Sequence, residues 1–171
     1  MKDHSSSELQ NQFVKVIDKN QGIIYKVAHA YCKDPDDQKD LVQEIIFQLW
    51  KSYKNYDARF KLSTWMYRIA LNVSISYLRK NQVKNKYHTP FDDQFVYMAE
   101  EPQEDLSEEL RLLRQFIQNQ KRIDKGLLLL YLEGKSHKEI AEVLGISATN
   151  VGTRLGRLKI KLKNHLINNL K

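Results

Sequence analysis

Apolar residues in the first third of the chain recur at steps of three and four. Over residues 8–31 the series Phe13, Val14, Ile17, Ile24, Val27, Ala28 and Tyr31 predicts an amphipathic helix, with Gly22 a candidate break. Asp34-Pro35-Asp36-Asp37 is turn chemistry whose carboxylates suit a helix N-terminus. A second helix follows over about 38–53, with Leu41, Val42, Ile45, Ile46, Leu49 and Trp50 covering half of its circumference. The loop 55–62 leads to Ser63, a side chain suited to capping a third helix over about 64–80. Residues 81–107 lose the periodicity, include Pro90 and Pro102, and read as a flexible linker. Periodicity returns at Leu106, Leu110, Leu113, Phe116 and Ile117 and continues through the apolar run 127–132. A short helix over 138–144, a turn at Gly145 and a longer helix from Thr149 close the chain. With no strand alternation and no internal repeat, the expectation is an all-α fold. Two small helical domains, 1–82 and 108–171, are joined by the linker 83–107.

Composition supports helices: the 171 residues include only 6 Gly and 3 Pro. A large enzyme with an inserted cap domain is excluded by length. Charge adds an organisation that periodicity does not show. Residues 1–91 hold 15 basic and 9 acidic side chains and residues 110–171 hold 13 and 4, whereas residues 92–109 hold 8 acidic and no basic ones. Two basic units flank an acidic connector, which points to a polyanionic partner. A single cysteine, Cys32, makes no internal disulfide, the N-terminal residues lack an apolar signal core, and no apolar run spans a bilayer. These features predict a cytoplasmic protein without membrane insertion.

Three faces carry candidate chemistry. On the third helix, Trp65, Arg68, Asn72, Ser76 and Arg79 share one polar stripe on an otherwise apolar cylinder. The loop before it alternates aromatics with cations (Tyr53, Lys54, Tyr56, Arg59, Phe60, Lys61), the combination that stacks bases and tracks phosphates of single-stranded nucleic acid. Core plugging is the other reading for Phe60 and Trp65. On the second helix Asp40, Gln43, Glu44 and Phe47 lie together opposite the apolar half, which suits a protein-docking surface. Near the C-terminus, Ala141, Gly145 and Val151 fall at the 4-then-6 spacing of a helix-turn-helix, with Ile140, Leu144 and Ile146 filling the core. Thr149, Asn150, Thr153, Arg154, Arg157 and Lys161 face away from the buried stripe of Val151, Leu155, Leu158 and Leu162, as major-groove reading requires. Gly152 and Gly156 weaken that helix, and close approach to a backbone would account for them. No metal site is expected, because the five histidines are scattered and His29 with Cys32 supplies only two ligands. No phosphate-binding loop, nucleophile elbow or paired-carboxylate pocket stands out, so neither an enzyme nor a cofactor is expected.

The order of these parts resembles a bacterial RNA polymerase sigma factor of the sigma-70 family, extracytoplasmic-function (ECF) group, over nearly the whole chain. The stretch from Asp40-Leu41-Val42-Gln43-Glu44 to Leu49-Trp50 is similar to the family's region-two helix. The resemblance implies that Asp40, Gln43, Glu44 and Phe47 dock on the β′ clamp helices of core polymerase. The segment from Phe60-Lys61-Leu62-Ser63-Thr64-Trp65 to Leu71-Asn72, closed by Tyr77-Leu78-Arg79-Lys80, resembles the family's segment for opening and capturing the −10 element. The residues implied there are Tyr56, Arg59, Phe60, Lys61, Ser63, Trp65, Arg68, Asn72, Ser76 and Arg79. The helix-turn-helix looks like region four, which reads the −35 element as duplex. Promoter DNA, core polymerase (β′ clamp helices and β flap) and an anti-sigma factor are the partners the resemblance implies, and a polymerase channel is the place it implies for the acidic linker. Three departures stand out: Ile46 followed by Phe47 where relatives have the aromatic one position earlier, Ser76 in place of a frequent Asp, and no Leu-Pro pair within 118–125. The rival reading is an autonomous helix-turn-helix regulator, which has no use for base-stacking groups far from its reading helix.

Overall fold

The computed structural model describes residues 2–85 and 107–170, with side chains over 6–80 and 107–170. Among these residues there are seven helices and no strand. Helix α1 (Lys2–Tyr31) starts earlier than the periodicity suggests and runs through Gly22 without a break. Its stripe Phe13, Ile24, Val27, Ala28 and Tyr31 is buried. Helix α2 (Pro35–Tyr53) begins where its local chemistry directs. Asp34 accepts from the amides of Asp36 (2.9 Å) and Asp37 (3.0 Å), and Pro35 occupies the first helical position, where its missing N–H leaves nothing unpaired. Leu41, Ile45 and Leu49 then face α1 and the third helix.

Helix α3 (Leu62–Asn85) corrects two expectations. It starts before Ser63, because the Lys61 carbonyl already accepts the Trp65 amide at 3.1 Å, so Ser63 lies in the first turn and does not cap it. It also continues to Asn85, beyond the expected end near Lys80. The acidic segment 86–106 lies outside the described residues, and with it the expectation of a flexible linker.

Four helices follow: α4 (Glu108–Gln118), α5 (Arg122–Leu132), α6 (His137–Leu144) and α7 (Ala148–Asn169). The leucine run buries Leu127, Leu128, Leu129 and Leu130 together, because α5 is covered on several sides at once. The two helix groups share one continuous apolar core. Helices α5 and α6 rest on α3, and α4 and α5 rest on the C-terminal end of α1.

That junction is built on a general property of helix ends, whose last carbonyls lack intrahelical partners. Gln118 donates to the His29 carbonyl at 3.1 Å, and the Lys125 ammonium to the Ala30 carbonyl at 3.0 Å. The Tyr31 hydroxyl in turn donates to the Arg122 carbonyl at 2.6 Å. Lys125 is buried, which pushes its pKa down, and it sits at the negative end of α1 and 5.5 Å from the Tyr31 ring centre. Beside it Gly126 lets the two groups close. A Cβ there would stand 3.1 Å from both Tyr31 Oη and Leu144 Cδ2, and 3.3 Å from Leu71 Cδ2.

Candidate nucleic-acid interface

The aromatics of the 53–65 segment separate into two populations. Phe13, Trp50 and Tyr53 stack with ring centres 5.1 and 5.2 Å apart, and Trp65 lies 6.4 Å from Tyr53 and 4.9 Å from Tyr56. Trp65 is thus half-buried in an aromatic cluster that welds α1, α2 and α3. Phe60 is the outlier at 59% exposed. The Tyr56 hydroxyl donates to the Phe60 carbonyl at 2.7 Å, and the Phe60 amide to the Asp57 carbonyl at 3.0 Å, so the loop is braced behind the ring it displays. Arg59 is exposed and folds back on Asp57, Nη2 to Oδ2 2.6 Å, which lowers the Asp57 pKa.

The polar stripe of α3 is divided by its neighbours. Lys61 pairs with Glu139 of α6 at 3.3 Å, Ser63 accepts from Lys135 at 2.8 Å, and Arg68 donates to the Glu142 carbonyl at 3.3 Å. Three residues expected at the melted strand are therefore held by the second helix group. Further along, Asn72 and Ser76 line a groove of about 740 Å³ between α2 and α3, together with Asp40, Gln43, Glu44 and Phe47. Tyr77 donates to Asp37 at 3.1 Å and fixes one end of this groove. Phe47, 53% exposed, carries Lys51 5.5 Å from its ring centre. The docking residues and the middle of the α3 stripe are brought together, whereas Phe60 is separate from them. Arg79 is exposed near the far end of α3.

The helix-turn-helix has the expected turn at Gly145, and the structure adds caps to both of its helices. Ser136 and Glu139 form a reciprocal capping box, with Ser136 Oγ accepting from the Glu139 amide at 3.2 Å and Glu139 Oε2 from the Ser136 amide at 2.9 Å. The Ser136 amide and Lys61 hold the Glu139 carboxyl down at about 2. Gly145 closes α6 at φ 67°, a left-handed conformation natural to glycine. Ser147 then caps α7 through the Asn150 amide at 3.1 Å. Val151, Leu155 and Leu158 are buried as the spacing predicts, while Thr149, Thr153, Arg157 and Lys161 are exposed. Asn150 and Arg154 are half-buried instead: Arg154 donates to Asn150 at 3.1 Å and to Asp124 of α5 at 2.8 Å.

Two family descriptions match this chain, Sigma-70 region 2 over residues 16–83 and Sigma-70 region 4 over residues 125–162. The chain belongs to the sigma-70 family. Its similarity to SigV of Bacillus subtilis is 29% identity over 133 residues, covering 78% of each chain. To the ECF sigma factor SigW of Bacillus subtilis it is 27% identical over 169 residues, covering 92% of this chain and 90% of that one. The fold is also that of RpoE from Bartonella quintana, solved with the anti-sigma factor NepR, at TM-score 0.69 and 18% identity over 92% of this chain and 98% of that one. CnrH, solved with the cytosolic domain of CnrY, matches at TM-score 0.65 and 20% identity over 94% and 90%. This sigma factor is of the ECF group, a transcription initiation factor that binds core RNA polymerase and directs it to promoters. Among the described residues no group of His, Cys, Asp or Glu could hold a metal ion, and no helix is long and apolar enough to cross a membrane.

Sequence reasoning missed the residues that join the two regions of the sigma factor: Gln118, Lys125, Lys135, Glu139 and Glu142. Each meets a residue more than 70 positions away, a separation at which periodicity carries no signal. The close approach is at Gly126, which the sequence reading did not single out, and not at Gly152 or Gly156, where an added Cβ would meet only His137 at 3.7 Å or nothing within 4 Å.

Proposed function

We propose that this sigma factor docks on the β′ clamp helices through Asp40, Gln43, Glu44 and Phe47. The −10 strand is captured through Phe60 and the cationic and polar groups around it: Tyr56, Arg59, Lys61, Ser63, Trp65, Arg68, Asn72, Ser76 and Arg79. The −35 duplex is read through α7. The observation that carries this reading is Phe60, a large apolar ring displayed to solvent on a braced loop between two cations. A protein that reads only duplex DNA gains nothing from such a group, whereas a stacked base contributes roughly 1–3 kcal/mol. The protein acts by binding, without chemistry of its own, and in the cytoplasm.

The packed arrangement has a consequence for this function. Elements at −35 and −10 lie about 25 base pairs apart, about 85 Å along B-form DNA. Here Lys61, beside Phe60, pairs with Glu139 in the first helix of the helix-turn-helix, so the −10 loop is packed against the region that reads the −35 element. The two regions separate before both elements are engaged, and core polymerase is the partner that drives this. An anti-sigma factor, the kind of partner solved with RpoE, is a further partner of this chain.

The test is reconstitution with purified core polymerase. Wild-type protein is expected to be retained on immobilised core enzyme and to initiate at defined sites on a genomic fragment library. Phe47→Asp is expected to lose retention while keeping its melting temperature. Retention of Phe47→Asp at the wild-type level would overturn the docking assignment.

A further inference from the structure

With α7 taken as the helix that reads duplex DNA, its side chains divide in a way that the spacing did not show. Placing Val151 at zero, the residues diametrically opposite the buried stripe are Thr149, Thr153, Gly156 and Ile160, at about 140–200°, with Arg157 at about 240°. All five are exposed. Arg154 lies off to one side, its guanidinium already donating to Asp124 and Asn150. With Nε on Asn150 and Nη1 on Asp124, the half-buried guanidinium is anchored towards α5, so these two partners and not a guanine edge set its direction.

Gly156 and Ile160 are unexplained by folding. An added Cβ at Gly156 would meet nothing within 4 Å, and its φ is not positive, so neither packing nor backbone geometry asks for glycine in mid-helix. Ile160 is 65% exposed, within two turns of α7 that also carry Arg157, Lys161 and Lys163. A branched apolar side chain amid cations loses by its exposure to water unless an apolar group on a polyanion covers it. In the major groove that group is the C5-methyl of thymine.

We infer that Gly156 and Ile160 are specificity-determining positions of the −35 contact. Gly156 leaves the crest of α7 flat so that the helix seats close to the duplex, and Ile160 packs on a thymine methyl. Arg154 is a positioning residue that ties α7 to the first turn of α5 through Asp124. The inference rests on the region-four reading and refines it.

The experiment uses holoenzyme reconstituted from the full chain and core polymerase, selecting from a promoter library randomised across the upstream element. Ile160→Ala is expected to lose the preference for thymine at one upstream position by about three- to tenfold while other positions keep theirs. Gly156→Ala is expected to raise the melting temperature of the free protein yet reduce promoter retention about tenfold, the opposite signs that a purely structural glycine would not give. Arg154→Ala and Asp124→Ala are each expected to weaken retention on all upstream sequences alike, with the double variant no weaker than either. An Ile160→Ala holoenzyme that selects the wild-type upstream sequence, thymine included, overturns the inference. So does an Arg154→Ala holoenzyme that loses one base preference while Asp124→Ala keeps it. A wild-type holoenzyme with no upstream preference would instead overturn the region-four reading itself.

Discussion

Gly126 offers the most direct handle on the closed arrangement of the two regions. Its missing side chain leaves room that Tyr31, Leu71 and Leu144 have filled to within 3.1–3.3 Å of where a Cβ would stand. Tyr31 and Leu71 belong to α1 and α3, and both are buried. A leucine at 126 keeps α5 a good helix but adds three further carbons beyond a Cβ that is already too close. Overpacking of this kind costs about 1–3 kcal/mol. Two regions joined by a chain of more than twenty residues relieve it by parting, so the strain appears as a shift of the open-to-closed ratio by about five- to a hundredfold. Tyr31→Phe gives a graded companion: it removes the hydroxyl that donates to the Arg122 carbonyl at 2.6 Å, about 0.5–1.5 kcal/mol, or about two- to twelvefold. Small-angle scattering of the free protein measures the outcome. A closed chain of this length has a radius of gyration of about 16 Å, and opening adds several ångströms. The expected order is wild type below Tyr31→Phe below Gly126→Leu, with helicity unchanged. A Gly126→Leu protein that keeps the wild-type scattering curve and only melts earlier would show that α6 absorbs the strain through Leu144, refuting the argument.

Three further outcomes are expected. Phe60→Ala should stay within about 0.5 kcal/mol of wild-type stability yet abolish permanganate-reactive thymines at the promoter, whereas Trp65→Ala, taken from the aromatic cluster, should lose on the order of 2–3 kcal/mol by chemical denaturation; equal stabilities would contradict the division of the loop. Gly22→Ala should raise the melting temperature by about 2–4 °C, since the site is exposed mid-helix with nothing within 4 Å of the new methyl, and a lower melting temperature would sink this reading of α1. Because the Glu139 carboxyl is held at about 2, below its usual 4.5, its contribution is present above the ordinary carboxylate range and lost as pH falls towards 2. Melting followed across that window should decline less steeply for Glu139→Gln than for wild type, and superimposable acid limbs would exclude the capping and Lys61 contacts as the cause.

Local instructions in the chain were sufficient for what they govern. Asp34 before Pro35, Ser136 with Glu139, Gly145 and Ser147 specify helix ends through hydrogen bonds made within a few residues; the sequence reading named the Asp34–Asp37 turn and Gly145, and the two serine caps emerged with the structure. Three- and four-residue apolar spacing placed Leu41, Ile45, Leu49, Val151, Leu155 and Leu158 in the core, because burying one stripe is a property of the single helix. Motif order was enough to identify the family. The start of α3 escaped because Ser63 is a good cap in isolation, whereas in the fold its hydroxyl is engaged by Lys135 of the turn between α5 and α6. Arg154 reads as a DNA contact by helical phase alone, yet Asp124 lies 30 residues away and claims it. Trp65 shares a polar stripe by the same arithmetic and is drawn inward by Tyr53 and Tyr56. In each case a side chain had two possible partners, one local or solvent-facing and one distant in sequence. Periodicity reports the direction a residue points along its own helix. Which distant group stands in that direction depends on how the helices pack, and that was decided only by the tertiary structure.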